Sequence, residues 1–148
     1  MANHYQNIIV AVDGSKEAKY AFRKSLDVSK RNPGSKIYLV HIVDIRSYSQ
    51  FQVMDSLSVE TTIEQVEALL KEYKEEAKAE GVDNIEIIVE CGAPKTMITR
   101  QIAPKVNADL ILCGATGLNV VERLIIGSVS EAIVRTASCD VLIIRTPE

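Results

Sequence analysis

The sequence predicts an α/β domain: an open, largely parallel five-stranded sheet with helices on both faces. Three observations lead there. Five short apolar runs alternate along the 148 residues with stretches of helical period. The first run, Asn7–Val12, is apolar without alternation, the pattern of a strand covered on both faces. A glycine-punctuated loop then follows the fourth run and opens into a helix, the order in which such sheets make phosphate sites.

Each element has a local reason. The first strand stops at Asp13-Gly14-Ser15, where Ser15 can cap a helix. Ala18, Ala21, Phe22, Ser25, Leu26 and Ser29 then recur at three- and four-residue spacing, giving one buried face. Asn32-Pro33-Gly34 breaks that helix, and Ile37–Val43 is the second strand. From Asp44 to Ser58 no period is clear; this reads as a mobile connection, either a binding loop or a variable surface loop. A second helix runs from about Ser58 to Glu80 with Ile63, Val66, Leu70, Tyr73 and Ala77 on one face and a solvated Glu/Lys face opposite. Ile85–Glu90 is the third strand, and its glutamates point to an edge. Pro94 suits the first turn of a third helix, which Pro104 should kink or shorten. Asp109–Cys113 is the fourth strand. A fourth helix begins at Gly127-Ser128 with Val129, Ala132, Ile133 and Thr136 on one side, and Val141–Ile144 closes the sheet.

Composition narrows the function classes. A hydrophobic content of 47% with 25% charged residues fits one globular domain over residues 1–148. A net charge of -3 without a basic block argues against nucleic acid. No apolar run approaches the ~20 residues of a membrane span, and the first residues lack the form of a signal peptide, so membrane insertion is not expected and a cytoplasmic location is. Cys91, Cys113 and Cys139 are widely spaced beside apolar runs and only two histidines are present; buried, reduced thiols are expected, not a zinc site or disulfide framework.

The loop reads Gly114-Ala115-Thr116-Gly117, nine residues, then Gly127-Ser128-Val129-Ser130. Glycines let backbone approach a ligand, and amides at a helix start attract an anion. Ser128 and Ser130 add hydroxyl donors. If strands one and four are neighbours, this loop and Asp13 share one crevice. Phosphates belong at the loop, because the Asp13 carboxylate repels an anion; it is suited to accepting hydrogen bonds from ribose or an amino group, or to holding its own turn. His41, within an apolar strand, reads as a satisfied core or crevice-lining histidine in place of a catalytic base. Arg123 is either a phosphate partner or a solvated loop arginine, and Glu122 alone is thin support for a metal site.

Val12-Asp13-Gly14-Ser15 after strand one, with Gly-x2-Gly-x9-Gly-Ser after strand four, resembles the universal stress protein family, ATP-binding subclass. The likeness spans essentially the whole chain, including Ala108-Asp109-Leu110-Ile111 and Cys139-Asp140-Val141-Leu142. It implies strand order 3-2-1-4-5 in a Rossmann-like, adenine nucleotide alpha hydrolase-like fold, and homodimers paired through the last strand, Val141–Ile144. It implies ATP, or ADP or AMP, with Mg. Carried over, Asp13 and the backbone of Val12 and Ile42 hold adenine and ribose, while Gly114, Ala115, Gly117, Gly127, Ser128, Val129 and Ser130 surround ribose and phosphates. Ala115 and Thr116 depart from the Ser and Arg or His often found inside the first glycine pair. The last strand supplies its own reason to dimerise, since Val141–Ile144 contains neither proline nor charge and would make an exposed apolar edge. ATP pyrophosphatases, with Ser-Gly-Gly-x-Asp-Ser after strand one, are resembled less, since only Asp13-Gly14-Ser15 is present.

Three functions follow from these features. The first is an ATP-binding stress-response regulator whose nucleotide state alters its dimer or partners. The second is a slow ATPase, for which no water-positioning residue is named. The third is a nucleotide-independent adaptor that meets a partner near Tyr48, Phe51 and Met54.

Overall fold

The computed structural model describes residues 4–44, 56–116 and 126–147. Most of the Asp44–Ser58 connection, with Tyr48, Phe51 and Met54, lies outside them, as do Gly117, Glu122 and Arg123.

The elements run β1 (Asn7–Ala11), α1 (Lys16–Lys30), β2 (Lys36–Val43), α2 (Ser56–Ala79) and β3 (Ile85–Cys91). Then α3 (Pro94–Met97) passes through a π-helical segment (Ile98–Ile102) into α4 (Ala103–Val106), followed by β4 (Leu110–Gly114), α5 (Ser128–Thr136) and β5 (Asp140–Ile144). All pairings are parallel, in the order β3-β2-β1-β4-β5. The glutamate-bearing β3 is an edge strand, as expected.

Strand pleating divides the core in two. Ile8, Val10, Leu39, Leu110 and Leu112 meet Phe22 and Leu26 of α1 and Leu70, Tyr73 and Ala77 of α2. On the other face Ile9, Val40, Ile42, Ile111 and Cys113 meet Ile98, Ile102 and Ile133. Phe22 and Tyr73 stack with centroids 4.8 Å apart, and Lys19 Nζ lies 4.2 Å over the Tyr73 ring while pairing with Glu76 at 2.8 Å. These contacts tie α2 to α1. At the start of the sheet the Asp109 carboxylate accepts the Gln6 and Asn7 N–H groups at 2.8 and 3.1 Å, so this motif residue fastens β1 beside β4.

Two expectations are corrected. Pro104 does not cut the third helix short: the chain widens into a π turn, with Ala103 N–H bonding Ile98 O, and helical structure continues through the proline to a left-handed Asn107. One extra residue in the turn accommodates the ring and the missing donor. Of the three thiols only Cys113 is buried; Cys139 is half-buried and Cys91, at the end of the edge strand β3, is exposed.

Candidate functional site

Strand β1 has β2 on one side and β4 on the other, so the chain winds in opposite directions from it. Beyond the carboxyl ends of these strands lies a cleft of about 540 Å³, within the roughly 300–1,000 Å³ typical of small-molecule sites. Asp13, Ser15 and Ala18 line one side, His41 and Ile42 the base, and Gly114, Thr116 and Gly127–Ser130 the other side. Pro94 and Ile98 add an apolar wall that the sequence did not single out. A second hollow, about 440 Å³, lies at the opposite end of the sheet against Tyr5, Arg31 and Asp140, away from the loops that follow the strands.

The Asp13 wall is a tight turn into α1. Asp13 Oδ1 accepts the Ser15 N–H at 2.9 Å, Gly14 adopts φ +85°, and Ser15 Oγ accepts the Ala18 N–H at 3.1 Å. One carboxylate oxygen therefore holds the turn while the exposed carboxylate keeps further acceptor capacity at the cleft. Both roles foreseen for Asp13 are compatible in one geometry.

The opposing wall is the first turn of α5. Its cap, Gly127, offers no side-chain hydrogen bond, and the first intrahelical N–H is that of Glu131, bonded to Gly127 O at 2.9 Å. The amides of Ser128, Val129 and Ser130 thus have no carbonyl within the helix to satisfy them. Three donors and the positive end of a helix dipole converge on the cleft.

Several expected backbone groups are already engaged. Ala115 is buried and does not line the cleft: its N–H donates to Ile144 O at 2.9 Å and its carbonyl accepts Gly127 N–H at 2.7 Å. Those bonds tie Ala115 to the end of β5 and Gly127 to Ala115, so these backbone groups are spent within the protein. Ser130 Oγ donates to Gly114 O at 2.6 Å, which spends that hydroxyl's proton inside the protein. Val12 donates its N–H to Val40 O at 2.8 Å and receives His41 Nδ1 at 2.6 Å on its carbonyl. A carbonyl only accepts, so Nδ1 carries the proton. His41 is accordingly a satisfied, cleft-lining histidine. Burial pushes the Cys113 thiol, on the cleft floor, up to about 11, with the neighbouring Ser130 side chain opposing the shift.

The family model described as the universal stress protein family matches residues 4–145. The chain belongs to the universal stress protein family. A Staphylococcus haemolyticus protein named provisionally as a universal stress protein is 51% identical over 144 residues, covering 97% of this chain and 87% of that protein. The structure of universal stress protein UspA from Lactobacillus plantarum superposes with a TM-score of 0.86 at 26% identity, over 97% of this chain and 100% of that one. A universal stress protein crystallised in complex with cAMP matches with a TM-score of 0.70 at 25% identity, over 96% and 98% of the two chains. The strand order and helix placement are those of the adenine nucleotide alpha hydrolase-like fold of these neighbours.

Proposed function

We propose that this universal stress protein binds an adenine nucleotide in the cleft between Asp13 and α5, and that the working ligand is ATP with Mg. The observation that carries the reading is the opposition of two unlike walls across one cavity. A carboxylate with spare acceptor capacity faces three helix-start amides. A nucleotide has that same polarity: hydroxyl and amino donors at one end, anionic phosphates at the other. Backbone of Ile42 and the apolar wall of Pro94 and Ile98 suit the base, and residues 128–130 suit the phosphates. A relative of the same fold whose structure contains cAMP supports an adenine ligand.

Mg enters with the polyphosphate, where it keeps several waters and takes few protein ligands. Nucleotide state acts on the homodimer or on a protein partner in the cytoplasm. The edge strand β5 carries the dimer contact: Leu142 is 37% exposed there, and no charge falls within Val141–Ile144.

The direct test is calorimetric titration of the purified chain with MgATP, using Asp13→Ala as control. Saturable binding that the substitution weakens supports the proposal. Absence of binding, with no nucleotide released on denaturation, would favour the adaptor reading.

A further inference from the structure

We infer that His41 is the positioning residue that sets base selectivity in this cleft, because its imidazole holds open the backbone edge of Ile42. The inference rests on the nucleotide reading above and concerns how the base is read.

The β1–β2 ladder ends one residue earlier than the strands allow. Its last pair is Ala11 with Val40, closed by Val12 N–H on Val40 O at 2.8 Å. In a parallel ladder the next bond would run from Ile42 N–H to Val12 O. That bond is not made; Val12 O receives His41 Nδ1–H at 2.6 Å in its place. The side chain has substituted for the main-chain donor of the following residue.

The direction of the freed groups follows from strand alternation. Val40 O points towards β1, since it accepts from Val12, and Val43 O points towards β3, since it accepts Gly92 N–H at 2.9 Å. Ile42 shares the parity of Val40, so its N–H and C=O face the β1 side, where β1 has already turned away at Asp13. Ile42 lines the cleft at that place. An adjacent N–H donor and C=O acceptor are therefore presented to the ligand along one strand edge.

That pair distinguishes purines. The pairing edge of adenine offers a ring-nitrogen acceptor beside an amino donor, and complements a backbone N–H and C=O. Guanine carries the reverse order, a carbonyl acceptor beside an N–H donor, and would set donor against donor and acceptor against acceptor. If Ile42 N–H closed on Val12 O the donor would be lost and the preference would fade. His41 acts through Ile42 and need not touch the base.

Two variants of the full chain test this. His41→Leu removes the donor; His41→Asn keeps an amide N–H at the position of Nδ1. Amide hydrogen exchange of Ile42 in nucleotide-free protein should be slowed roughly tenfold or more in His41→Leu relative to wild type and His41→Asn, as the ladder bond forms. In parallel, the Kd ratio of GTP to ATP should fall roughly tenfold in His41→Leu, the size of one lost hydrogen bond, and recover in His41→Asn. Binding of inorganic tripolyphosphate should be equal in all three proteins, which a general loss of structure would not allow. An unchanged Ile42 exchange rate or an unchanged GTP-to-ATP ratio in His41→Leu overturns the inference while leaving nucleotide binding intact. If wild type binds neither nucleotide, the underlying reading fails and takes this inference with it.

Discussion

Gly114 and Glu17 are packed so closely that a β-carbon built on Gly114 would lie 2.7 Å from Glu17 Cβ and 3.0 Å from its backbone carbonyl carbon. The first turn of α1 sits directly on the end of β4, and only hydrogen on the Gly114 α-carbon leaves room for it. This glycine is required by helix–strand approach, whatever it also contributes to a ligand. Because the opposing atoms include backbone, they cannot swing aside as the end of a side chain would. Gly114→Ala should therefore destabilise the fold by about 1–3 kcal/mol, read as a lower denaturation midpoint with an unchanged m-value.

Asp13 has two separable tasks, and two substitutions divide them. Asp13→Asn keeps an oxygen for the Ser15 N–H but turns an amide donor towards the cleft. Its stability should stay within about 0.5 kcal/mol of wild type while ATP affinity falls roughly tenfold or more, the loss of a hydrogen bond to a charged acceptor. Asp13→Ala should lose affinity and stability together. Paired calorimetry and chemical denaturation would show the split.

Helix α5 is braced against the π-helical segment by a chain of hydroxyls. Thr99 Oγ1 and Thr136 Oγ1 are 2.6 Å apart, and Thr136 Oγ1 donates to Ala132 O at 2.7 Å. With that proton spent, Thr99 must be the donor to Thr136. Thr136→Val strands the buried Thr99 hydroxyl and should cost about 1–3 kcal/mol. Thr99→Val with Thr136→Val should cost less than the two single losses summed, a coupling that a double-mutant cycle measures directly.

Cys113 links stability to alkaline pH. Burial raises its thiol from the ordinary 9.0 to about 11. Above pH 9 the unfolded chain releases this proton while the folded chain keeps it, so the contribution is whole below pH 9 and declines as pH rises to about 11. The loss is on the order of 2 kcal/mol, and the wild-type curve minus that of Cys113→Ala should display it. The same burial makes Cys113 inert: under native conditions a thiol reagent should label the exposed Cys91 first and Cys113 only on unfolding.

The proposed dimer contact has a simple probe. A lysine at Leu142 puts charge on the β5 edge without entering the cleft. Leu142→Lys should sediment as a monomer where the wild type sediments as a dimer, and its far-ultraviolet circular dichroism should be unaltered.

Much of this architecture was legible in the residues, for definite reasons. Continuous apolar runs such as Ile8–Val10 mark strands buried on both faces, and the glutamates of β3 mark an edge. The meeting of Asp13 with the Gly127 helix start follows from strand order, which the family resemblance supplied. What escaped depended on register or on a partner distant in sequence. The π turn before Pro104 is a choice of hydrogen-bond partner five residues back, and no side-chain pattern encodes it. Gly114 carries the same signature whether a ligand or a helix presses on it. The exposure of Cys91 depends on which strand is outermost and where it ends. The engagement of Val12 and Ala115 within the protein appears only once His41 and β5 are in place.

Backbone amide chemical shifts of the 15N-labelled chain, followed through a MgATP titration, test the central claim most directly. The account predicts saturable shifts with one common Kd at Gly14 and Ser15 on one wall and at Ser128, Val129 and Ser130 on the other. Shifts absent from both walls, or gathered around Tyr5, Arg31 and Asp140 at the far end of the sheet, would contradict it.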